Sequence, residues 1–187
     1  MTKTDIILIL LFADGRAPIV GTTRLHKLLF LVEHEKNIKA QNESFSFEAF
    51  KFGPVSKILY DDLEFLINIG FLEKTGEDSN ISIYSLEEIE GIDAKDLLGD
   101  ESEVNGREED LEENDERTAT DDLVVYRITD KGIDYLREND LVKANETIEI
   151  EKIKKRYGKK SLVELLKYIY IKYPMYTTES VIKDELL

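Results

Sequence analysis

The chain of 187 residues has no cysteine, which excludes disulfides and thiolate metal sites and fits an intracellular, cytoplasmic protein. It also has no stretch near the roughly 20 consecutive apolar residues that a membrane span requires. The run IILILLF at 6–12 gives way at once to Ala13-Asp14-Gly15-Arg16. We read it as a buried first helix rather than a signal segment. No glycine-rich phosphate loop and no Gly-x-Ser-x-Gly elbow is present, and both would signal specific chemistry. The two histidines, His26 and His34, lack the His-Glu-x-x-His spacing that sets two imidazoles on one helix face. The neighbouring carboxylates Asp61 and Asp62 are adjacent in sequence, so they point to different faces. No catalytic residue, cofactor site or metal site is singled out, and a non-enzymatic protein is expected.

The net charge of −15 argues against nucleic acid only until its distribution is read. Residues 87–122 hold 17 of the 40 acids and three of the 25 bases, leaving 23 acids and 22 bases elsewhere. The body is nearly neutral, and the acidity belongs to one insert. A solubilising, disordered extension is the simplest reading of such a segment. It could also mimic nucleic-acid charge for a basic partner, or cover a basic stretch of its own chain.

Periodicity sets out the elements. Residues 4–13 are apolar nearly all round, as in a fully buried helix. After a loop over 14–21, a second helix is expected over about 24–36, capped by Thr22 or Thr23. Its stripe is Leu25, Leu28, Leu29 and Val32. FSFEAFKF (45–52) alternates as a strand or extended loop does. Gly53-Pro54 is expected to open a third helix, proline suiting the first helical position, and Gly70 to close it. Strands are expected over 71–74 and 81–86. After the insert come one more strand and a short helix capped by Thr129. Residues 140–187 read as helices, with Ser161 as a cap and Pro174 as a stop. The expected fold is mainly α with a small β wing. It divides into a winged-helix-like domain over 1–139, carrying the acidic insert 87–122 in its wing, and a C-terminal helical extension over 140–187.

Three segments, TRLHKLLFLVE (23–33), FGPVSKILYDDLEFLINIGFLE (52–73) and YPMYTTES (173–180), together resemble the Panacea-domain proteins. That group includes the SocA-like antitoxins, and the YwgA-like proteins are related to it. The positions that carry the resemblance are Leu28, Phe30, Leu31, Gly53, Pro54, Ser56, Leu59, Asp62, Leu63 and Gly70. The acidic insert has no counterpart. The resemblance implies an antitoxin or adaptor that binds a partner protein, a toxin among the candidates.

Projection of the third helix at 100° per residue puts Val55, Ile58, Leu59, Leu63, Leu66 and Ile69 on one arc, with Lys57, Asp61, Glu64 and Asn68 opposite. A helix seated in the major groove lies between rows of phosphates. Asp61 and Glu64 would repel them, so the outward side suits a protein better than DNA. The expected contact surface joins the second and third helices through Lys27, Phe30, His34, Lys57, Asp61 and Glu64. Asp62 falls inside the apolar arc, where a carboxylate needs a cation or donors. Arg24, Lys27 and Lys51 are candidates. The alternative function is a winged-helix transcription regulator, a homodimer through its C-terminal helices. It would contact DNA through Lys152, Lys154, Lys155, Arg156, Tyr157, Lys159 and Lys160. Against this stands a solvated helix whose Glu149 and Glu151 pair with those lysines.

Overall fold

A computed structural model describes residues 1–41, 43–76 and 124–187. The strand expected over 81–86 and the acidic insert 87–122 lie outside the described residues.

Helix α1 (Lys3–Arg16) opens on a reciprocal cap. Thr2 Oγ1 accepts from the Asp5 N–H at 3.1 Å, and the Asp5 carboxylate accepts from the Thr2 N–H at 2.6 Å. Its regular part ends near Phe12, because Asp14, Gly15 and Arg16 take left-handed φ values of 51°, 66° and 65°. Residues 6–11 are each at most 1% exposed, so this stretch, apolar on every side, is the centre about which the rest packs. A two-residue strand, β1 (Ile19–Val20), leads into α2 (Thr22–Glu35). The expected threonine cap is not used. Gly21 is the N-cap, and the Thr22 hydroxyl bonds instead to the Tyr126 hydroxyl at 3.0 Å.

The alternating segment 45–52 is an extended loop held by side chains. Buried Glu33 accepts from Ser44 Oγ at 2.6 Å and from the Phe45 N–H at 3.0 Å. Ser56 Oγ donates to the Phe45 carbonyl, and Glu48 forms one antiparallel bridge with Val55.

That bridge corrects the expected start of the third helix. Helix α3 is Ile58–Asn68 and does not begin at Gly53-Pro54. Val55 is held extended by Glu48, and the Ser56 N–H donates to His26 Nδ1 at 3.3 Å. Ser56 Oγ then accepts from the Leu59 N–H at 3.3 Å and so satisfies a free amide of the first turn. Gly53 serves another purpose. Its φ is +79°, and a Cβ there would meet the Tyr170 ring at 2.8 Å. The expected end does hold. Gly70 is left-handed, with Phe71 N–H donating to Leu66 O and Gly70 N–H to Ile67 O, both at 2.9 Å.

Strands β2 (Leu72–Thr75) and β3 (Val125–Ile128) pair antiparallel, Leu72 opposite Ile128, and β1 adds to the other side of β3, giving the order β1-β3-β2. Thr129 caps α4 (Asp130–Glu138) as expected, accepting from the Gly132 N–H at 3.2 Å while donating to Gly70 O at 2.7 Å. Helices α5 (Asn145–Tyr157), α6 (Leu162–Lys172) and α7 (Lys183–Leu186) follow. Ser161 and Glu164 form a capping box at α6, and Pro174 begins a 3₁₀ turn just past its end. Ile150, Ile153, Tyr157, Leu165, Leu166 and Ile169 join residues 6–11 in one hydrophobic core. The described part is thus mainly helical with a small antiparallel sheet.

Candidate functional site

Helix α3 turns one side inward and leaves the other to solvent. Leu59, Leu63 and Leu66 are at most 3% exposed. Lys57, Asp61, Glu64 and Asn68 are exposed. Two apolar residues join them: Phe65 is 53% exposed, and Ile58, expected in the core, is 36% exposed. Because α3 begins four residues later than expected, Ile58 sits in its first turn at the edge of the packed surface. Ile58, Asp61 and Phe65 are spaced i, i+3 and i+7, so they lie along one stripe.

Asp62 borders that stripe, its side chain 18% exposed rather than buried. The cation beside it is Lys3, whose Nζ is 3.5 Å from Asp62 and 3.4 Å from Glu43. Arg24 and Lys27 are committed elsewhere. The distance is long, and Asp62 Oδ2 has no hydrogen bond. Burial raises the Asp62 pKa, Lys3 opposes it, and Glu43 and Asp61 add to the rise. Among the described residues that act on Asp62, two are carboxylates, Glu43 and Asp61, and one is a cation, Lys3.

The contact surface expected on α2 is corrected. Lys27 and Phe30 are both 0% exposed, and His34 is half-buried. An apolar stripe shows where one neighbour packs, but α2 has several: the 45–56 loop, α5, α6 and the turn after α6. The Phe30 ring meets Phe47, Tyr173 and Tyr176 edge-on, with centroids 4.9–5.3 Å apart. The His34 ring lies on Phe30 at 4.3 Å. Lys27 Nζ donates to Pro54 O at 2.9 Å, and burial pushes its pKa down to about 7. His26 stands next to it, 1% exposed, with burial first and Lys27 second pushing its pKa down to about 3. Accepting at Nδ1 from Ser56, it is a neutral core histidine. Of the six expected contacts, Lys57, Asp61 and Glu64 therefore share a surface, and Lys27 and Phe30 are interior.

The 152–160 stretch is likewise not one exposed basic surface. Lys154 is 3% exposed, and its ammonium donates to the carbonyls of Leu11, Ala13 and Ala17 at 3.1, 3.1 and 2.6 Å. It thereby satisfies carbonyls left open where α1 ends. Burial pushes its pKa down to about 8, with Asp14 opposing. Tyr157 is 1% exposed and donates to Glu35 at 3.0 Å. Around them Lys152 pairs with Glu149, Lys155 with Glu151 at 2.7 Å, Arg156 with Glu35 at 3.6 Å, and Lys160 with Glu164 at 3.7 Å. Lys159 is exposed. The small pocket alongside, about 190 Å³, is lined by Asp14, Ile19, Arg24, Leu28, Lys154 and Lys159. The three donors of Lys154 are all in use, and Arg24 donates to Gly158 O and Lys160 O at 3.3 and 2.6 Å.

Phe65 was missed in the sequence, although it was legible. It follows Glu64 directly and Asp61 by four, which places it on the polar side of the helix rather than on the arc of Leu59, Leu63 and Leu66. The interior role of Lys154 was also legible, since it follows Ile150 by four on the apolar face of α5.

No family model matches this chain, and no curated protein or solved structure is significantly similar to it. Among the described residues, no helix is long and apolar enough to cross a membrane.

Proposed function

We propose that this chain is a non-enzymatic protein-interaction module, winged-helix-like over residues 1–139, that docks a partner protein on the outward face of α3. The order helix, strand, helix, helix, strand, strand, with β3 between β1 and β2, supports the winged-helix reading. The resemblance of residues 23–33, 52–73 and 173–180 to Panacea-domain proteins supports a role as antitoxin or adaptor. The observation that carries the proposal is the exposure of Phe65, at 53%, with Ile58 at 36% on the same stripe, on a helix face otherwise formed by Asp61, Glu64, Asn68 and Lys57. Phe65 and Ile58 form a small apolar stripe rimmed by polar groups, an arrangement that suits a contact anchor.

A winged-helix regulator would present this same helix to DNA. Two outward carboxylates face that role, and the bases that would offset them at 152–160 are largely paired with Glu35, Glu149, Glu151 and Glu164 or buried. Each phosphate contact needs a cation free to displace counterions.

A photoreactive residue placed at Phe65, and a control at exposed Lys159, tests the proposal in the native cell. A discrete protein adduct at Phe65 and none at Lys159 is expected. Equal adducts at both positions, none at either, or nucleic acid at Phe65 would overturn it.

A further inference from the structure

We infer that the element docking on α3 is a basic amphipathic helix of the partner, with apolar anchors over Ile58 and Phe65 and lysines or arginines toward Asp61, Glu64 and Glu43. This rests on the reading that α3 docks a protein, and it deepens that reading by naming the partner's chemistry.

Shape and charge argue together. Ile58 and Phe65 lie seven residues apart, which is two turns or about 10.5 Å along the axis. Anchors at that spacing on a facing helix, at i and i+7, meet both residues at once. The surrounding charge is lopsided. Asp61 and Glu64 are exposed, the Glu43 side chain is 62% exposed, and Asp62 borders them. Lys57 lies at one end, and Lys3 is shared between Glu43 and Asp62. Among these described residues, four carboxylates against two cations leave a field that long basic side chains can answer, while their methylene stems cover apolar surface.

Two other occupants fit this face less well. A second copy of this chain packed through the same face would bring its own Asp61 and Glu64 toward these two acids. The chain's own basic stretch is fixed on α5 by Lys154 and Tyr157, with partners already in place.

The test uses the full chain and three peptides: a basic one with leucines at i, i+3, i+4 and i+7, one with glutamate in place of every base, and the basic one with serine in place of leucine. Binding is read by fluorescence anisotropy at moderate salt for the parent, Phe65→Ser, the pair Asp61→Lys with Glu64→Lys, and the distant control Glu138→Lys. Unchanged melting curves establish that each variant is folded. The basic leucine peptide is expected to bind. Phe65→Ser and the double reversal should each weaken it about tenfold or more, as loss of a contact anchor does. Glu138→Lys should leave it unchanged, and the other two peptides should bind at least about tenfold more weakly.

Binding of the acidic peptide as tightly as the basic one, still sensitive to Phe65→Ser, overturns the partner chemistry and leaves α3 as the docking face. No binding by any peptide also overturns the partner chemistry, and the Phe65 crosslink then judges the face alone. Binding indifferent to every α3 substitution, as residues 87–122 alone would give, overturns this inference.

Discussion

Lys27→Met is the perturbation whose outcome the interior of α2 fixes most tightly. The ammonium is 0% exposed and has one acceptor, Pro54 O at 2.9 Å. Burial moves its pKa from 10.5 to about 7, and that gap corresponds to about 5 kcal/mol between the charged and neutral forms. Between pH 7 and 10.5 the unfolded chain carries a proton that the folded chain lacks, so this group makes the protein more stable as pH rises through that window. Below about pH 7 the charge is present in both states and its full cost applies.

Methionine is similar in length and apolar, so the substitution removes this titration. It also leaves the Pro54 carbonyl without its donor, a cost of roughly 1–3 kcal/mol that does not vary with pH. The stability difference between variant and parent should therefore favour the variant most near pH 6. It should shift toward the parent by about 5 kcal/mol on going to pH 10.5. Lys154, whose pKa is about 8, titrates in both proteins and cancels. Urea denaturation of both proteins across this range reads the difference directly. Parallel stability–pH curves would refute the reasoning, since they would mean that Lys27 is hydrated or paired in the folded state.

Three further substitutions probe the frame that presents α3. Gly53→Ala combines a φ of +79° with a Cβ 2.8 Å from the Tyr170 ring; a loss of about 2 kcal/mol or more is expected by thermal melting. Lys154→Met leaves the carbonyls of Leu11, Ala13 and Ala17 without their shared donor, a cost of about 3 kcal/mol that shows most fully in alkali, because below about pH 8 removing the buried charge offsets part of it. Faster hydrogen exchange should appear over residues 11–17. Glu35 accepts from Tyr168 at 2.9 Å and from Tyr157 at 3.0 Å, with Lys172 at 3.3 Å. Burial alone would raise its pKa, but the hydrogen bonds from Tyr168, Tyr157 and Lys172 outweigh this and lower it. Its contribution is accordingly present above the ordinary carboxylate pKa and lost as pH falls through the lowered one. Glu35→Gln should cost roughly 1–3 kcal/mol at neutral pH, and the difference from the parent should shrink in acid.

Local rules were legible where one residue decides. Thr129, Ser161 and Gly70 cap or end their helices as their chemistry dictates, and residues 6–11 of the first apolar run lie in the core. The errors came where distant contacts decide. Pro54 is a good first helical residue, yet Glu48 holds Val55 extended and Ser56 takes the cap, a pairing no local pattern announces. A projection of α2 shows one stripe, but packing on several sides buries Lys27 and Phe30 as well. In the 152–160 run the charge count was plain. The spacing of Lys154 after Ile150 marks it as inward, but no local pattern shows that its acceptors lie at the end of α1, more than a hundred residues away in sequence.

The outward face of α3 meeting a protein rather than a polyanion is the central claim, and a titration of the intact protein with duplex DNA at low salt tests it most directly. With backbone amide signals followed along the helix, residues 58–68 should stay unmoved while added DNA remains free. Saturable shifts in those residues that fade as salt rises would show the helix seated in a groove, and would contradict the account.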